Sequence, residues 1–197
     1  MPIHKSLVTN NQNETAESLQ LSKQHLRTLL RAMQKSLSPC YIQEASNSIQ
    51  SQVLSSPLYM DALSIFTYIS LPFEPSTEQI IRQSFADGKL VYVPKCVDGK
   101  MLAVHIHDLD GLTPGAYGIP EPTELADTVV ANEIDLILVP CISAFMDGRR
   151  LGHGAGYYDR FIESNRDNTI CLCFRKMLRS DIPMTDNDVW MAHVITD

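Results

Sequence analysis

Four glycines within nine residues, at positions 148, 152, 154 and 156, constrain the fold of this chain more than any other feature. The apolar run 134–139 lies before the glycines and predicts a buried strand, whereas the segment 157–165 after them predicts a helix. Between a strand and a helix, glycines let an anion approach the backbone, and N–H groups converge on it. A glycine-rich surface loop without a ligand is the alternative. The neighbouring Arg149 and Arg150, with the Tyr-Tyr-Asp that follows, favour a phosphate site.

Two common phosphate motifs do not fit this loop. The Gly-Lys-Ser/Thr ending of the P-loop is missing, and with it the usual lysine and the magnesium-binding hydroxyl. The glycine spacing also differs from the dinucleotide-binding fingerprint, and no strand with an acidic residue follows at the required distance. The loop is therefore of another kind.

Strands and helices alternate along the chain, which predicts a three-layer α/β/α sandwich with a mixed, mostly parallel sheet. Ligands of such sheets bind at the carboxyl ends of the strands, where the glycine loop is expected. We expect a disordered polar segment over 1–15 and a single domain over 16–197. The predicted helices span about 16–37, 39–54, 76–86 and 157–165, and the predicted strands about 62–70, 90–93, 101–107, 134–139 and 169–174. Pro94 is expected to stop the second of these strands.

Composition narrows the possible partners. The net charge of −7 argues against a general nucleic-acid-binding role. No apolar stretch reaches about 18 residues, so no membrane span is expected. Five cysteines at scattered positions are typical of reduced thiols in a cytoplasm. We expect a cytoplasmic monomer that binds neither nucleic acid nor a membrane.

The first predicted helix carries two stripes. An apolar stripe for packing consists of Leu19, Leu26, Leu30, Met33 and Leu37. Lys23, Arg27 and Arg31 sit four residues apart and line an adjoining stripe. By themselves these cations predict a solvated helix face along the domain surface, and nothing further singles out Arg31.

The segment from Arg150 to Asp159 reads Arg-Leu-Gly-His-Gly-Ala-Gly-Tyr-Tyr-Asp. It resembles the motif Arg-Leu-Gly-x-Gly-x-Gly-Tyr/Phe-Tyr-Asp of the 5-formyltetrahydrofolate cyclo-ligases, also called methenyltetrahydrofolate synthetases. The similarity extends from about Lys23 to about Val194. It implies an α/β sandwich that cyclises 5-formyltetrahydrofolate to 5,10-methenyltetrahydrofolate with ATP, releasing ADP and phosphate. It also implies phosphorylation of the formyl oxygen and Mg²⁺ as cofactor.

The resemblance implies roles for individual residues. Arg150 would pair with phosphate oxygens, and Asp159 matches the family's magnesium ligand, so both are the expected catalytic residues. Asp188 matches a second acid of the metal site, with a plain loop acid as the alternative. Lys23 and Arg27 match an N-terminal Lys-x-x-x-Arg whose members contact ATP and the folate. The implied ATP-binding residues are Lys23, Arg27, Arg150, Leu151, Gly152, His153, Gly154, Ala155, Gly156, Tyr157 and Tyr158.

Two further matches to the family concern the binding of the folate substrate. Glu74 matches a family glutamate that binds the pterin, and a carboxylate suits the pterin's N–H donors. An acid favoured only by a helix dipole is the alternative, which fits Glu78 better. Residues 114–122 resemble the family's Pro-Gly-x-x-x-Ile-Pro-x-Pro, in which Tyr117 would stack on the pterin or simply belong to a rigid turn. The implied substrate-binding residues are Arg27, Glu74, Tyr117 and Tyr157.

The chain departs from the family at two loop positions. Many members carry a lysine where this chain has Ala155 and an arginine where it has His153. Each replacement removes a positive charge from the expected phosphate site. Two other function classes stay open: another ATP-dependent phosphoryl-transfer enzyme, and a non-catalytic folate or nucleotide binder on the same scaffold.

Overall fold

The computed structural model describes residues 5–115, 118–123, 125 and 127–197, with the side chains of 5–17 and 21 excepted. Tyr117 lies outside the described residues. No helix in these ranges combines the length and the apolar character needed to cross a bilayer.

A seven-stranded sheet organises the molecule. Its strands are β1 Ser64–Phe66, β2 Leu90–Val97, β3 Lys100–Ile106, β6 Thr128–Val129, β7 Leu136–Pro140, β10 Thr169–Leu172 and β11 His193–Ile195. They lie side by side in the order β11-β10-β7-β1-β2-β3-β6. The first five strands in this order run parallel, whereas β3 pairs antiparallel with both β2 and β6. The predicted α/β sandwich with a mixed, mostly parallel sheet is confirmed.

Two hairpins, five α-helices and short 3₁₀ turns accompany the main sheet in the described residues. The hairpins pair β4 Leu112–Pro114 with β5 Pro120–Pro122, and β8 Ser143–Ala144 with β9 Arg150–Leu151. The helices are α1 Lys5–Lys35, α2 Pro39–Leu54, α3 Pro57–Asp61, α4 Glu78–Ala86 and α5 Tyr157–Ile162. The bounds of α2 match the prediction because its start is encoded locally. The Ser38 hydroxyl accepts a hydrogen bond from the Tyr41 amide, and Pro39 occupies the first turn.

Helix α1 differs from its prediction in where it begins and in what it buries. It begins at Lys5, upstream of the predicted start near residue 16. The disorder expected over 1–15 stays a prediction. Leu30 is buried as expected, but Met33 is 42% exposed and Gln34 is buried in its place. The face that packs on the domain is therefore more polar than the apolar stripe predicts.

The prediction that Pro94 ends β2 is wrong, since the strand continues to Val97. The parallel partner β1 pairs with β2 only as far as Tyr92. Beyond that point β3 alone pairs with β2 in the sheet, and Pro94 lies opposite Ala103. A residue without an N–H group is tolerated there because the strand has become an edge.

The core lies around β7, where every residue from Leu136 to Pro140 is buried. Parallel strands covered on both faces are continuously apolar in this way, and each fully buried aliphatic side chain contributes about 1.5–3 kcal/mol. The sequence predicts that the glycine loop follows β7 directly, and this is wrong. The β8–β9 hairpin intervenes, so the loop starts from the second strand of a hairpin that ends at Leu151.

Candidate active site

A cavity of about 1260 Å³ lies at the edge of the sheet where β1 and β7 end. Tyr68 and Ile69 come just after β1, Pro140 is the last residue of β7, and all three line it. This is where an open α/β sheet binds its ligands. Its wall also contains the glycine loop, part of α1 and the segment 185–190.

Arg150, at the start of the glycine loop, is a buried cation in this wall. One guanidinium nitrogen, Nη2, donates to Asp159 Oδ2 at 2.9 Å, and the other, Nη1, donates to the carbonyl oxygen of Pro140 at 3.2 Å. The Arg150 side chain is 3% exposed and that of Asp159 is 19% exposed. A Cβ at position 152 would lie 2.7 Å from Nη1, which explains the glycine there. Arg150 lines the cavity, but its side chain is held by protein atoms, and its role towards a phosphate stays a prediction.

Two carboxylates meet on one side of the cavity. Asp159 projects from the first turn of α5, and its Oδ1 accepts the Val189 amide at 3.3 Å. The adjacent Asp188 accepts hydrogen bonds at Oδ2 from the amide and the hydroxyl of Thr185, at 2.6 and 2.7 Å. Burial by itself would raise the pKa of Asp188, but hydrogen bonds from Lys23 and Thr185 outweigh it and hold that pKa below its usual value.

Helix α1 brings three cations to the same wall. Lys23 forms an ion pair with Asp188 and is only 3% exposed, so the alternative of a solvated helix face does not hold for it. Arg27 Nε donates to the Gly152 carbonyl at 2.9 Å, and Arg31 Nη2 donates to the His153 carbonyl at 2.7 Å. Arg31, which nothing in the sequence ties to the site, therefore lines the cavity with the others.

Glu74, eight residues after the end of β1, is in contact with the glycine loop. Its carboxylate is 5% exposed, with Oε2 accepting the Leu71 amide at 2.9 Å and Oε1 lying 3.1 Å from His153 Nε2. Tyr158 is half-buried and packs against the core, with its ring 6.3 Å from that of Phe66. Burial first, and then the nearby Glu74 carboxylate, raise the pKa of Tyr158, so its hydroxyl stays protonated.

All the predicted site residues that the structure describes line this one cavity. They are Lys23, Arg27, Glu74, Arg150, Leu151, Gly152, His153, Gly154, Ala155, Gly156, Tyr157, Tyr158, Asp159 and Asp188. The predicted pterin-stacking Tyr117 falls outside the described residues. The roles assigned to these residues stay predictions.

Several residues that the sequence does not single out also line the cavity, among them Arg31, Arg160 and Trp190. Arg160 Nη2 donates to the Ala155 carbonyl at 3.1 Å, so a cation reaches the loop position where the family lysine is absent. Trp190 is the only tryptophan of the chain and is 43% exposed, with the Arg149 guanidinium 5.7 Å from its ring centroid. Spacing from the motif offered a signal for Arg160 alone, because it follows Asp159 directly.

Fold and cavity together define an α/β protein with a charged ligand cleft at the carboxyl ends of its parallel strands. Within that class, the chain belongs to the 5-formyltetrahydrofolate cyclo-ligase family, whose model matches residues 20–197.

Individual relatives agree with this placement. A protein of Schizosaccharomyces pombe named as a probable 5-formyltetrahydrofolate cyclo-ligase is 29% identical over 196 residues, covering 90% of this chain and 96% of its own. The Escherichia coli 5-formyltetrahydrofolate cyclo-ligase is 26% identical over 175 residues, covering 85% of this chain and 96% of its own.

Two solved structures share the fold. The 5,10-methenyltetrahydrofolate synthetase of Aquifex aeolicus superposes with a TM-score of 0.78 at 23% identity, over 87% of this chain and 88% of that one. The enzyme of the same name from Mycoplasma pneumoniae gives a TM-score of 0.72 at 18% identity, over 89% of this chain and 98% of that one.

Proposed function

We propose that this protein cyclises 5-formyltetrahydrofolate to 5,10-methenyltetrahydrofolate at the expense of ATP, which leaves as ADP and phosphate. One observation carries the proposal beyond family membership. His153 of the glycine loop and Glu74, the expected pterin ligand, are in contact although they lie 79 residues apart in the sequence. A nucleotide phosphate on the loop and a pterin on Glu74 would therefore lie side by side in one cavity.

The reaction needs a good leaving group on a poor electrophile. The formamide carbon of the substrate is unreactive because the nitrogen lone pair is delocalised into the carbonyl. Transfer of the γ-phosphoryl group to the formyl oxygen turns that oxygen into a leaving group. Nitrogen 10 then attacks the activated carbon, the ring closes, and phosphate departs. Positioning and charge neutralisation are what the protein must supply for such a reaction.

The cavity wall offers positive charge for the phosphates. Arg150 is fixed by its contacts with Asp159 and Pro140, so its charge acts from the wall. A cation held in place by protein atoms needs no reorganisation when charge develops on a transferring group. Lys23 and Arg27 add further charge, and the glycine loop offers backbone amides.

Asp159 and Asp188 would hold Mg²⁺, which supplies charge neutralisation on the phosphoryl oxygens when bound. Each residue uses Oδ2 for its pairing with a cation. Among the described residues Asp188 Oδ1 accepts no hydrogen bond, and Asp159 Oδ1 has only the 3.3 Å contact with Val189. No group of three or more His, Cys, Asp or Glu in the described part of the chain would hold a metal by itself. That fits Mg²⁺, which takes one or two carboxylates and completes its shell with phosphate and water.

Glu74 would bind the pterin through its amino and ring N–H donors, with Arg27 and Tyr157 lining the same cavity and Tyr117 as the proposed stacking partner. His153 and Leu71 hold the Glu74 carboxylate in place until the ligand arrives. We further propose that the protein acts as a monomer in the cytoplasm, although a relative from Arabidopsis thaliana is named as mitochondrial.

The test is to incubate the pure protein with ATP, Mg²⁺ and 5-formyltetrahydrofolate and to follow the absorbance of the methenyl product. Product and ADP should form in a one-to-one ratio, and neither should form without Mg²⁺. Glu74→Gln should raise the KM for the folate, whereas Glu78→Gln, an exposed acid on the next helix, should leave it unchanged.

Other outcomes would point to the competing functions. ATP hydrolysis that does not depend on folate would indicate another phosphoryl-transfer enzyme. Ligand binding without turnover would indicate a non-catalytic binder, and the fluorescence of the single tryptophan, Trp190, offers a way to detect that binding.

A further inference from the structure

Two arginines one helical turn apart on α1 hold two consecutive carbonyl groups of the glycine loop. Arg27 Nε donates to the Gly152 oxygen at 2.9 Å, and Arg31 Nη2 donates to the His153 oxygen at 2.7 Å. The two contacts span 125 and 122 residues of sequence, so they join separate parts of the fold. A third loop carbonyl, that of Ala155, is held by Arg160 of α5.

Because a peptide unit is planar, fixing a carbonyl group also fixes the direction of the N–H group of the next residue. In a planar trans peptide unit, the carbonyl of one residue and the N–H of the next point in opposite directions. Because the Gly152 and His153 carbonyls both face α1, the N–H groups of His153 and Gly154 both face away from it. Two successive N–H groups aimed to one side form a concavity that binds anions.

Two further observations agree with an anion as the occupant. In the described part of the chain, neither the His153 amide nor the Gly154 amide donates a hydrogen bond to the protein. Gly154 has a φ of +107°, a conformation that residues with a side chain rarely adopt. The loop is therefore kept in an unusual shape with two donors left available.

The glycine loop of this chain carries fewer cations of its own than the loops of many family members, which gives the arginine–carbonyl contacts a purpose. The loop has Ala155 and His153 where many family members have lysine and arginine, so fewer cations arise from the loop itself. Arg27, Arg31 and Arg160 come from the two flanking helices instead, and each binds a carbonyl oxygen that would otherwise be free to repel a phosphate. Side chains outside the loop thus make its backbone more attractive to an anion.

We propose that Arg31 is a positioning residue for the polyphosphate of a nucleoside triphosphate. It acts through the His153 carbonyl, which fixes the peptide unit whose N–H belongs to Gly154. This rests on the proposed function for the identity of the ligand, but the orientation of the loop is a property of the free protein.

The experiment compares Arg31→Ala and Arg31→Lys with the wild type. Arg82→Ala serves as the matched control, because Arg82 is an exposed helical arginine whose partner is Glu78 on its own helix α4. Hydrogen–deuterium exchange of the peptide covering 150–157 is measured in the free protein, and kcat and both KM values are measured in the methenyl assay.

Arg31→Ala should speed exchange in that peptide and raise the KM for ATP about tenfold, the effect of one hydrogen bond from a charged donor. The KM for the folate and kcat should stay within about twofold of the wild-type values, because Arg31 is proposed to position only the loop that binds the nucleotide. Arg31→Lys, which keeps one charged donor, should restore most of the ATP affinity. Arg82→Ala should match the wild type throughout.

Two results would overturn the proposal. Exchange in Arg31→Ala equal to that in Arg82→Ala would show that Arg31 does not hold the loop. A raised KM for ATP without faster exchange would show that Arg31 touches the nucleotide directly. If the wild type forms no methenyl product, the proposed function fails, and the exchange comparison still decides whether Arg31 positions the loop.

Discussion

Asp159→Asn is the most informative single change, because it removes the counter-charge of a buried arginine while keeping the side chain's shape. Arg150 is 3% exposed at its side chain and lies 2.9 Å from the Asp159 carboxylate. Removal of one partner from a buried ion pair typically costs about 3–5 kcal/mol. Asp159 is itself 19% exposed, so water relieves part of the loss, and we expect a value near the lower end, about 3 kcal/mol.

For a chain of this size, a loss of about 3 kcal/mol corresponds to a fall in Tm of roughly 6–12 °C. Thermal unfolding followed by circular dichroism measures it directly. Arg150→Met combined with Asp159→Leu should be markedly more stable than Asp159→Asn, since no charge is then left buried. The variant Asp159→Asn should also lose turnover by about a hundredfold, or about 3 kcal/mol of transition-state stabilisation, if Asp159 is the proposed magnesium ligand.

The reasoning about the ion pair would be refuted by an Asp159→Asn protein that melts within about 1 °C of the wild type, since even 1 kcal/mol shifts Tm by more than that. Near-normal turnover of that variant at limiting Mg²⁺ would instead remove Asp159 from the metal site while leaving the stability argument intact. Arg82→Ala, which breaks an exposed pair, is the control for a charge change without burial and should cost less than about 0.5 kcal/mol.

Two more predictions concern stability. Gly148→Ala should lower the free energy of unfolding by about 3 kcal/mol or more, because it combines a φ of +98° with a Cβ only 2.5 Å from the Met191 carbonyl oxygen. Gly99→Ala, at a φ of +75° with open space around it, should lower that free energy by only about 1–2 kcal/mol. Equal urea midpoints for the two variants would contradict this. Burial and a hydrogen bond to Asp87 raise the pKa of Tyr59 from 10.0 to about 12. The unfolded chain therefore loses this proton first, so the stabilisation is complete below pH 10 and is lost as the pH rises towards 12. Alkaline unfolding of Tyr59→Phe should lack this loss, and an unchanged alkaline profile would show that Tyr59 is not its source.

What the sequence predicts well is encoded by neighbouring residues. The start of α2 follows from Ser38 and Pro39, because a cap and a fixed φ act within one turn. The strand β7 follows from an uninterrupted apolar run. The motif from Arg150 to Asp159 is contiguous, and every residue in it lines the cavity.

What the sequence misses depends on partners far along the chain. Lys23 resembles any surface lysine until Asp188 is brought beside it, and the same holds for Arg31 and the His153 carbonyl. Pro94 is a local signal for a strand end, but whether it stops β2 depends on how far β1 extends. Contacts between residues so far apart in the chain leave no local sequence pattern from which they could be predicted.

The pairing of Lys23 with Asp188 also bears on how the protein is made. The two residues are 165 positions apart. At a synthesis rate of 5–20 residues per second, the ribosome adds Asp188 about 8–33 s after Lys23. During that interval the nascent chain already carries Lys23 and, later, the glycine loop, yet it lacks the wall of the cavity formed by 185–190. A chain that stopped before Thr185 would keep six of the seven strands of the main sheet and still have no closed site. Ligand binding at this cavity thus becomes available only near the end of translation, so incomplete chains would be left without the stabilisation that a bound ligand gives.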